Sequence, residues 1–249
     1  MAELMRTSNP ALNDNVFRDE RAAFGEAMTV QGTANKTGVL LICAMATAAW
    51  SWNRFQNAPT EVVPLIGIGA IGGLIFAMVT IFKKSWAPVT APIYALLEGL
   101  LLGAISVMFN LRYPGIAIQA VSLTFGTLLA LLIAYRSGVI RVTDKFRLGV
   151  VAATGGIAFF YLLTMILGFF GIHFNSIFGS GVIGIGFSVV VVIVAALNLV
   201  LDFDFIESGA RAGAPKYMEW YAAFGLMVTL IWLYMEILRL LAKLRSRND

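Results

Sequence analysis

The sequence has one cysteine, Cys43, and one histidine, His173, and only 13% of its residues are charged. A single cysteine excludes an intrachain disulfide and a thiolate cluster that holds a metal. No basic stretch is interleaved with aromatic residues, which argues against nucleic acid as a partner. The sequence also lacks a basic start followed directly by an apolar stretch, so we expect no cleavable signal peptide. We therefore predict neither redox chemistry nor a bound cofactor.

Apolar residues, by contrast, are abundant. Hydrophobic residues make up 59% of the chain and the mean hydropathy is +0.83. Average soluble domains, in comparison, contain about 25% charged residues. This composition predicts an all-α, multi-pass integral membrane protein whose main partner is the lipid bilayer, and we assign it to the cell membrane.

A membrane-spanning helix needs about 17 to 25 predominantly apolar residues. Segments of this kind predict a bundle of seven transmembrane helices, at 38 to 54, 62 to 82, 90 to 109, 114 to 134, 148 to 170, 177 to 201 and 217 to 240. The first is the weakest because Ser51, Asn53 and Arg54 close it early, although Trp50 and Trp52 suit a membrane interface. Six helices with a re-entrant last segment are the alternative.

The chain divides into a polar arm, residues 1 to 37, and a transmembrane domain, residues 38 to 249, with a short basic C-terminal tail. The arm is either a solvated tail or contains a short amphipathic helix around Val16 to Met28. With seven spans, twelve lysines and arginines lie on the side of the arm and six on the opposite side. This excess predicts a cytoplasmic N-terminus. The basic C-terminus argues against a seventh crossing, since it too would prefer the cytoplasm.

Glycines recur within four of the apolar segments. They are Gly67, Gly69, Gly72 and Gly73 in the second, Gly99 and Gly103 in the third, Gly155 and Gly156 in the fifth, and Gly181, Gly184 and Gly186 in the sixth. Small residues let membrane helices approach closely, so these glycines predict a compact bundle. Lining a pore or unwinding a helix is the alternative role.

Glu98 lies deep in the third segment, between leucines. An ionised side chain in hydrocarbon costs roughly 2.5 to 3.5 kcal/mol on insertion scales, so such residues usually face a bundle interior or a watery cavity. Glu98 is therefore either a protonated acid that bonds a neighbouring helix, or a proton-sensing or ion-binding group.

Three acids follow one another at the end of the sixth segment. Asp202 and Asp204 point about 200 degrees apart on a helix, so they cannot share one ligand without local unwinding. Asp202, with Asn198 one turn earlier, is the better candidate for burial. Asp204 and Glu207 share a face, and they either end a helix in cytoplasmic solvent or attract a cation.

Glu236 lies late in the last segment, and Arg239 follows it on the same helix face, where the two can pair. If Arg239 and Lys243 instead extend towards solvent, Glu236 lies within the bilayer and needs an internal partner, which a sixth-helix carboxylate would supply. Two acids close together in a dry site share a proton or bind a cation. Because calcium prefers six to eight oxygens, a calcium site at Asp202 and Glu236 would be weak.

Three stretches give the chain a resemblance to the Bax inhibitor-1 family, and more closely to its bacterial branch, over roughly residues 35 to 245. They are Ala95-Leu-Leu-Glu-Gly-Leu-Leu-Leu-Gly103, Leu201-Asp-Phe-Asp-Phe-Ile206 and Leu233-Tyr-Met-Glu-Ile-Leu-Arg-Leu-Leu241. The resemblance implies six helices around a central seventh, and a carboxylate pair between the last two helices that senses pH for a calcium leak.

The resemblance also implies roles for individual residues. Asp202 matches the acid of the sixth helix, and Glu236 occupies the seventh-helix position where the bacterial pattern often has aspartate. The basic residue of the second helix, which forms a latch with the sixth-helix acid, falls near Lys83 or Lys84.

The leading hypothesis is a pH-sensitive cation leak channel, with calcium or protons as the ions and Asp202 and Glu236 in the pathway. A non-transporting regulator that binds other membrane proteins is the alternative. We do not expect an enzyme. An intramembrane protease is disfavoured because the chain has neither a Gly-x-Gly-Asp motif after Asp202 nor His-Glu-x-x-His, and because His173 and Ser180 lack a Gly-x-Ser-Gly pattern.

Overall fold

The computed structural model describes residues 26–57, 59–171 and 175–248, and this part of the chain is almost entirely helical. Seven helices of more than 20 residues follow one another in it. They are α1 (Val30–Asn57), α2 (Pro59–Phe82), α3 (Ala87–Arg112), α4 (Ile116–Arg136), α5 (Asp144–Phe169), α6 (Val182–Arg211) and α7 (Met218–Asn248). A short 3-10 helix, Lys84–Trp86, precedes α3, and a single helical turn, Asn175–Phe178, precedes α6.

Each of the seven predicted segments is thus mostly helical, with three notable differences at their ends. The sixth was predicted from residue 177, whereas α6 begins at Val182, after a break at residues 179 to 181. α1 begins at Val30, inside the predicted arm, because the hydroxyl of Thr29 accepts a hydrogen bond from the backbone N–H of Gly32 at 2.8 Å and so caps the helix. Most of the amphipathic helix considered for 16 to 28 lies outside the described residues. α6 continues to Arg211, so that Asp202, Asp204 and Glu207 are all helical.

A glycine ends α6. Gly213 has a φ of 68°, a left-handed conformation that favours glycine. The N–H of Gly213 donates to the carbonyl of Ala210, and the N–H of Ala214 donates to the carbonyl of Gly209. These two bonds satisfy the last carbonyls of the helix, as in a Schellman motif.

Six helices of the described chain are long and apolar enough to cross a membrane, α2 to α7. The helix that does not qualify is α1, whose first turns carry Gln31, Asn35 and Lys36 and whose last turn carries Arg54. α7 is the most enclosed: 61% of its apolar window is buried, against 6% for α5 and at most 39% for the others. The seventh crossing and a central position of α7 stay predictions.

The chain forms two compact units. Of the described residues, the first unit contains those up to Pro114 together with Asp204–Val228, and the second contains those of Gly115–Phe203 together with those from Thr229 onward. α6 and α7 each contribute a segment to both units.

In the first unit, α3 packs against α1 and α2. Gly99 and Gly103 of α3 lie so close to α1 that an added Cβ would meet the carbonyl oxygens of Ala44 and Ala48. The prediction of close packing is therefore confirmed for Gly99 and Gly103. An added Cβ meets nothing within 4 Å at five other predicted packing positions, Gly67, Gly155, Gly156, Gly181 and Gly186, so close packing does not explain those glycines.

In the second unit, Ile157 of α5 and Val191 and Val194 of α6 form a buried cluster. Phe187 of α6 and Trp232 of α7 pack against this cluster. Apolar contacts therefore join the three helices that carry the polar groups described next.

Candidate functional site

Asp202 is buried within α6, with 1% of its surface exposed. Asn198, one turn earlier, is buried as well, and its amide donates to the hydroxyl of Thr154 and to the carbonyl of Val194, both at 2.8 Å. The expected burial of Asp202 is confirmed. A carboxylate enclosed in a helix of membrane-spanning length is costly, and such residues are usually functional.

Asp204 and Glu207 have more accessible surroundings in the first unit, where both are half-buried. Glu207 lies 3.9 Å from Arg211, in an ion pair whose side chains are 44% and 66% exposed. Exposed pairs of this kind contribute about 0 to 1 kcal/mol. For Glu207, this geometry favours the solvated helix end over a cation site.

Glu236 lies in the second unit with 2% of its surface exposed, and its carboxylate has two partners. Arg239 donates from Nη1 to Oε1 at 2.8 Å and to Oε2 at 3.0 Å. The hydroxyl of Tyr161 on α5 donates to Oε1 at 3.2 Å and accepts from Arg239 at 3.1 Å. Of the two interpretations of Glu236, the structure contains the ion pair with Arg239. The guanidinium also lies 5.7 Å from the centre of the Tyr161 ring.

Lys243 lies on the same face of α7 as Glu236 and Arg239. The three residues are spaced i, i+3 and i+7, and residues with this spacing share a helix face. It is buried, with 7% of its surface exposed. Its ammonium donates to the carbonyls of Ile177 at 3.0 Å and Gly184 at 2.9 Å. Lys243 also interacts electrostatically with Arg239 and Glu236. It therefore binds backbone oxygens inside the protein and does not extend into solvent.

Contacts within the second unit set the register of α6 and α7. Trp232 packs against the cluster containing Val191 and Val194, whereas Lys243, further along α7, bonds to Gly184, which is earlier on α6. The two helices are therefore antiparallel here, and Glu236 lies level with α6 residues between Gly184 and Val194.

Asp202 lies in the other direction along α6. Asp202 lies about two turns beyond Val194 on α6. Glu236 lies about one turn beyond Trp232 on α7, and because the helices are antiparallel it is displaced in the opposite direction. The two acids are therefore separated by roughly 15 Å or more along the helix axes. This register does not favour a direct carboxylate pair, because Asp202 and Glu236 lie at different heights along the helix axes. The role of each in an ion pathway stays a prediction.

A second charged network, which the sequence did not indicate, lies in the first unit around Glu219 at the start of α7. Glu219 is completely buried and forms an ion pair with Lys36 of α1. One carboxylate oxygen also accepts from the backbone N–H of Thr29 at 2.8 Å and from its hydroxyl at 3.0 Å. Lys216 lies 3.4 Å from the same oxygen. The carboxylate thus holds the positive end of α1.

Two further contacts connect the residues before α1 to the connection between α6 and α7. The N–H of Met28 donates to the carbonyl of Ala214 at 2.7 Å, and Lys216 lies 3.4 Å from Glu26. Burial acts to lower the pKa of the Lys216 ammonium, but the carboxylates of Glu219 and Glu26 outweigh it and raise that pKa. The start of α1 is therefore tied to the connection between α6 and α7.

The remaining predicted residues also lie in the first unit. Glu98 of α3 is half-buried, and its Oε1 is 2.8 Å from the position that a Cβ on Gly73 would take, so Gly73 provides space for the carboxylate. Lys83 is exposed and Lys84 half-buried, both just after α2. Their proposed roles as latch partners, and the two interpretations of Glu98, stay open.

Calcium coordination was predicted at Asp202 and Glu236. Within the described ranges, the side chains of His, Cys, Asp and Glu form no group of three or more that could hold a metal ion. Both oxygens of Glu236 are already bonded to Arg239. A calcium site at these residues stays a prediction.

Helices of membrane-spanning length with buried acids inside them define the class: a multi-pass α-helical membrane protein. The family described as Bax inhibitor 1 like matches residues 9–246, nearly the whole chain, and the chain belongs to that family. Neither the curated proteins nor the solved structures include a match.

Proposed function

We propose that the protein is a pH-sensitive leak pathway for cations, with calcium as the first candidate, in the cell membrane. The observation that carries the proposal is the burial of Asp202 inside a helix long and apolar enough to span the bilayer. An ionised carboxylate in such a position attracts cations, and a protonated one does not. Protonation of Asp202 therefore provides a local charge change that biases closed and open arrangements. No catalytic reaction is part of the proposal.

In this proposal Glu236 also belongs to the cation pathway, at a different height along the helix axes of the second unit from Asp202. Because its partner is Arg239 and the register separates it from Asp202, we assign the pH response to Asp202 itself. Glu236 then forms, with Arg239 and Tyr161, a charged element further along the pathway.

The contacts at the start of α1 support seven crossings. Met28 and Lys36 bond to Ala214 and Glu219, so the start of α1 and the connection between α6 and α7 lie on the same side of the membrane. If α2 to α6 each cross once, the start of α2 lies on the opposite side. α1 must then cross as well, which makes six crossings, and α7, which is also long and apolar enough to span the bilayer, is the seventh of this proposal.

With seven crossings, the excess of lysines and arginines on the side of the arm supports a cytoplasmic N-terminus. Three of the four C-terminal basic residues are held by the protein, which weakens their opposition to this orientation. Arg239 is paired with Glu236, Lys243 binds backbone carbonyls, and Arg245 donates to the side-chain oxygen of Gln119.

The test is calcium entry into liposomes that contain the purified protein, measured across a range of pH. Asp202→Asn carries the neutral form of the side chain permanently, and Asp204→Asn is the matched control two residues away. The proposal predicts a rate of calcium entry that changes with pH in the wild type and in Asp204→Asn. In Asp202→Asn the rate should no longer change with pH and should stay at the value that the wild type reaches in acid. Entry that is indifferent to pH and to Asp202→Asn contradicts it.

The neutralised state of Glu236 favours a second candidate, a non-transporting regulator that binds other membrane proteins. A regulator of this kind predicts a membrane-protein partner that co-purifies with the wild type and with a variant carrying both Asp202→Asn and Glu236→Gln, together with no calcium entry in liposomes. Loss of the partner in that variant contradicts it.

A further inference from the structure

Glu236 is a buried acid of the second unit and is paired with a cation from its own helix. Arg239 bonds both of its oxygens, and the same guanidinium also bonds the Tyr161 hydroxyl. A mobile cation that bound here would need those oxygens. The place of such a cation at Glu236 is therefore taken by a side chain of the protein.

Lys243 adds a second positive charge near the same carboxylate. It binds the carbonyls of Ile177 and Gly184, which are further oxygens of the kind that coordinate calcium. One carboxylate and two basic side chains give this group a net positive charge. Such a group repels a mobile cation in a medium of low dielectric constant.

We propose that the Arg239 guanidinium occupies the position at which a mobile cation would bind the Glu236 carboxylate, and so limits cation passage through the protein. This assignment rests on the proposed function, which names calcium as the first candidate for the ion. It differs from a merely structural ion pair, because the guanidinium charge, and not only the packing of its side chain, sets the barrier.

Three substitutions separate charge from packing. Arg239→Gln removes the charge and leaves Glu236 able to accept a cation. Arg239→Lys retains the positive charge as a single ammonium on an unbranched side chain and is the matched control. Combining Arg239→Gln with Glu236→Gln removes both charges, so this double variant has no carboxylate with which to bind a cation.

Calcium entry into liposomes is the first measurement. Arg239→Gln should increase the rate by about tenfold or more, because one unit charge a few Å away is a strong barrier in a partly buried site. Arg239→Lys should match the wild type, and the double variant should not show the increase. If the wild type shows no entry, Arg239→Gln should still create it. Equal rates for the wild type and Arg239→Gln overturn the assignment.

The melting temperature of the purified full chain in detergent, measured with and without added calcium chloride, is the second measurement. A ligand that binds the folded state raises its stability, so calcium should stabilise Arg239→Gln more than the wild type or the double variant. If Arg239→Gln is unfolded without calcium, recovery of its helical circular dichroism on calcium addition supports the assignment. Absence of any calcium effect specific to Arg239→Gln overturns it. Failure of the proposed function has a different signature, namely wild-type entry that ignores pH and Asp202→Asn.

Discussion

Lys36 of α1 and Glu219 of α7 form an ion pair within the first unit, although 183 positions separate them in the sequence. The Glu219 side chain is completely enclosed, whereas 20% of the Lys36 side chain is exposed. The same carboxylate receives the backbone and hydroxyl donors of Thr29. This pair therefore fixes the start of the first helix to the start of the last one.

Replacing Glu219 should be strongly destabilising. Glu219→Ala removes one partner of a buried pair and leaves Lys36 and the Thr29 N–H without their acceptor, a change that costs about 3 to 5 kcal/mol. The melting temperature in detergent measures the effect. Glu207→Ala, which breaks the exposed pair with Arg211, should cost about 1 kcal/mol or less. Equal losses for the two variants would show that Glu219 has no special role.

Gly32 is required by the same carboxylate. A Cβ at this position would overlap the carboxylate of Glu219, and that carboxylate cannot move aside without losing its bonds to Lys36 and Thr29. Gly32→Ala should therefore lower the free energy of unfolding by about 1 to 3 kcal/mol through overpacking. Gly38 of the same helix is the matched control, because an added Cβ there meets nothing within 4 Å. Gly38→Ala should stabilise the helix by about 0.5 to 1 kcal/mol. Changes of the same sign in both variants would contradict this packing.

Gly103 allows α3 to approach α1. An added Cβ would meet the backbone of Ala48, and because backbone cannot move aside as a flexible side chain does, Gly103→Ala should cost about 1 to 3 kcal/mol. Gly126→Ala in α4, where an added Cβ meets nothing within 4 Å, provides the comparison. A lower melting temperature for Gly126→Ala than for Gly103→Ala would be inconsistent with close contact of α1 and α3.

Tyr161 should be coupled to Glu236 through its hydroxyl. Tyr161→Phe removes a hydrogen bond to a charged group, which contributes about 1.5 to 3 kcal/mol. In a double-mutant cycle with Glu236→Gln, the combined loss should be smaller than the two separate losses together, by about 0.5 kcal/mol or more. Strict additivity would mean that the hydroxyl and the carboxylate do not interact in the folded protein.

The sequence predicts the helices well because a bilayer demands long apolar runs, and these runs are visible without any structure. Local spacing also provides the pair of Glu236 and Arg239, since residues three apart share a helix face. The early start of α1 has a local signal as well: Thr29 is a good N-cap residue.

Residues brought together from distant helices have no such signal. Lys36 and Glu219 are charged residues in helices at opposite ends of the chain, and no local pattern relates them. Tyr161 lies in an apolar stretch where an aromatic residue is ordinary. Lys243 matches a basic tail that extends into solvent, and only its contacts with Ile177 and Gly184 distinguish it. The register of α6 and α7 likewise depends on packing.

The most direct test of the account is the pH profile of calcium entry into liposomes for the wild type and Asp202→Asn, measured in parallel at equal protein content. The account predicts a rate that changes with pH for the wild type. Asp202→Asn should give, at every pH, the rate that the wild type reaches in acid, because the amide has the charge of the protonated acid. A profile for Asp202→Asn that follows the wild type across the whole range would contradict the account.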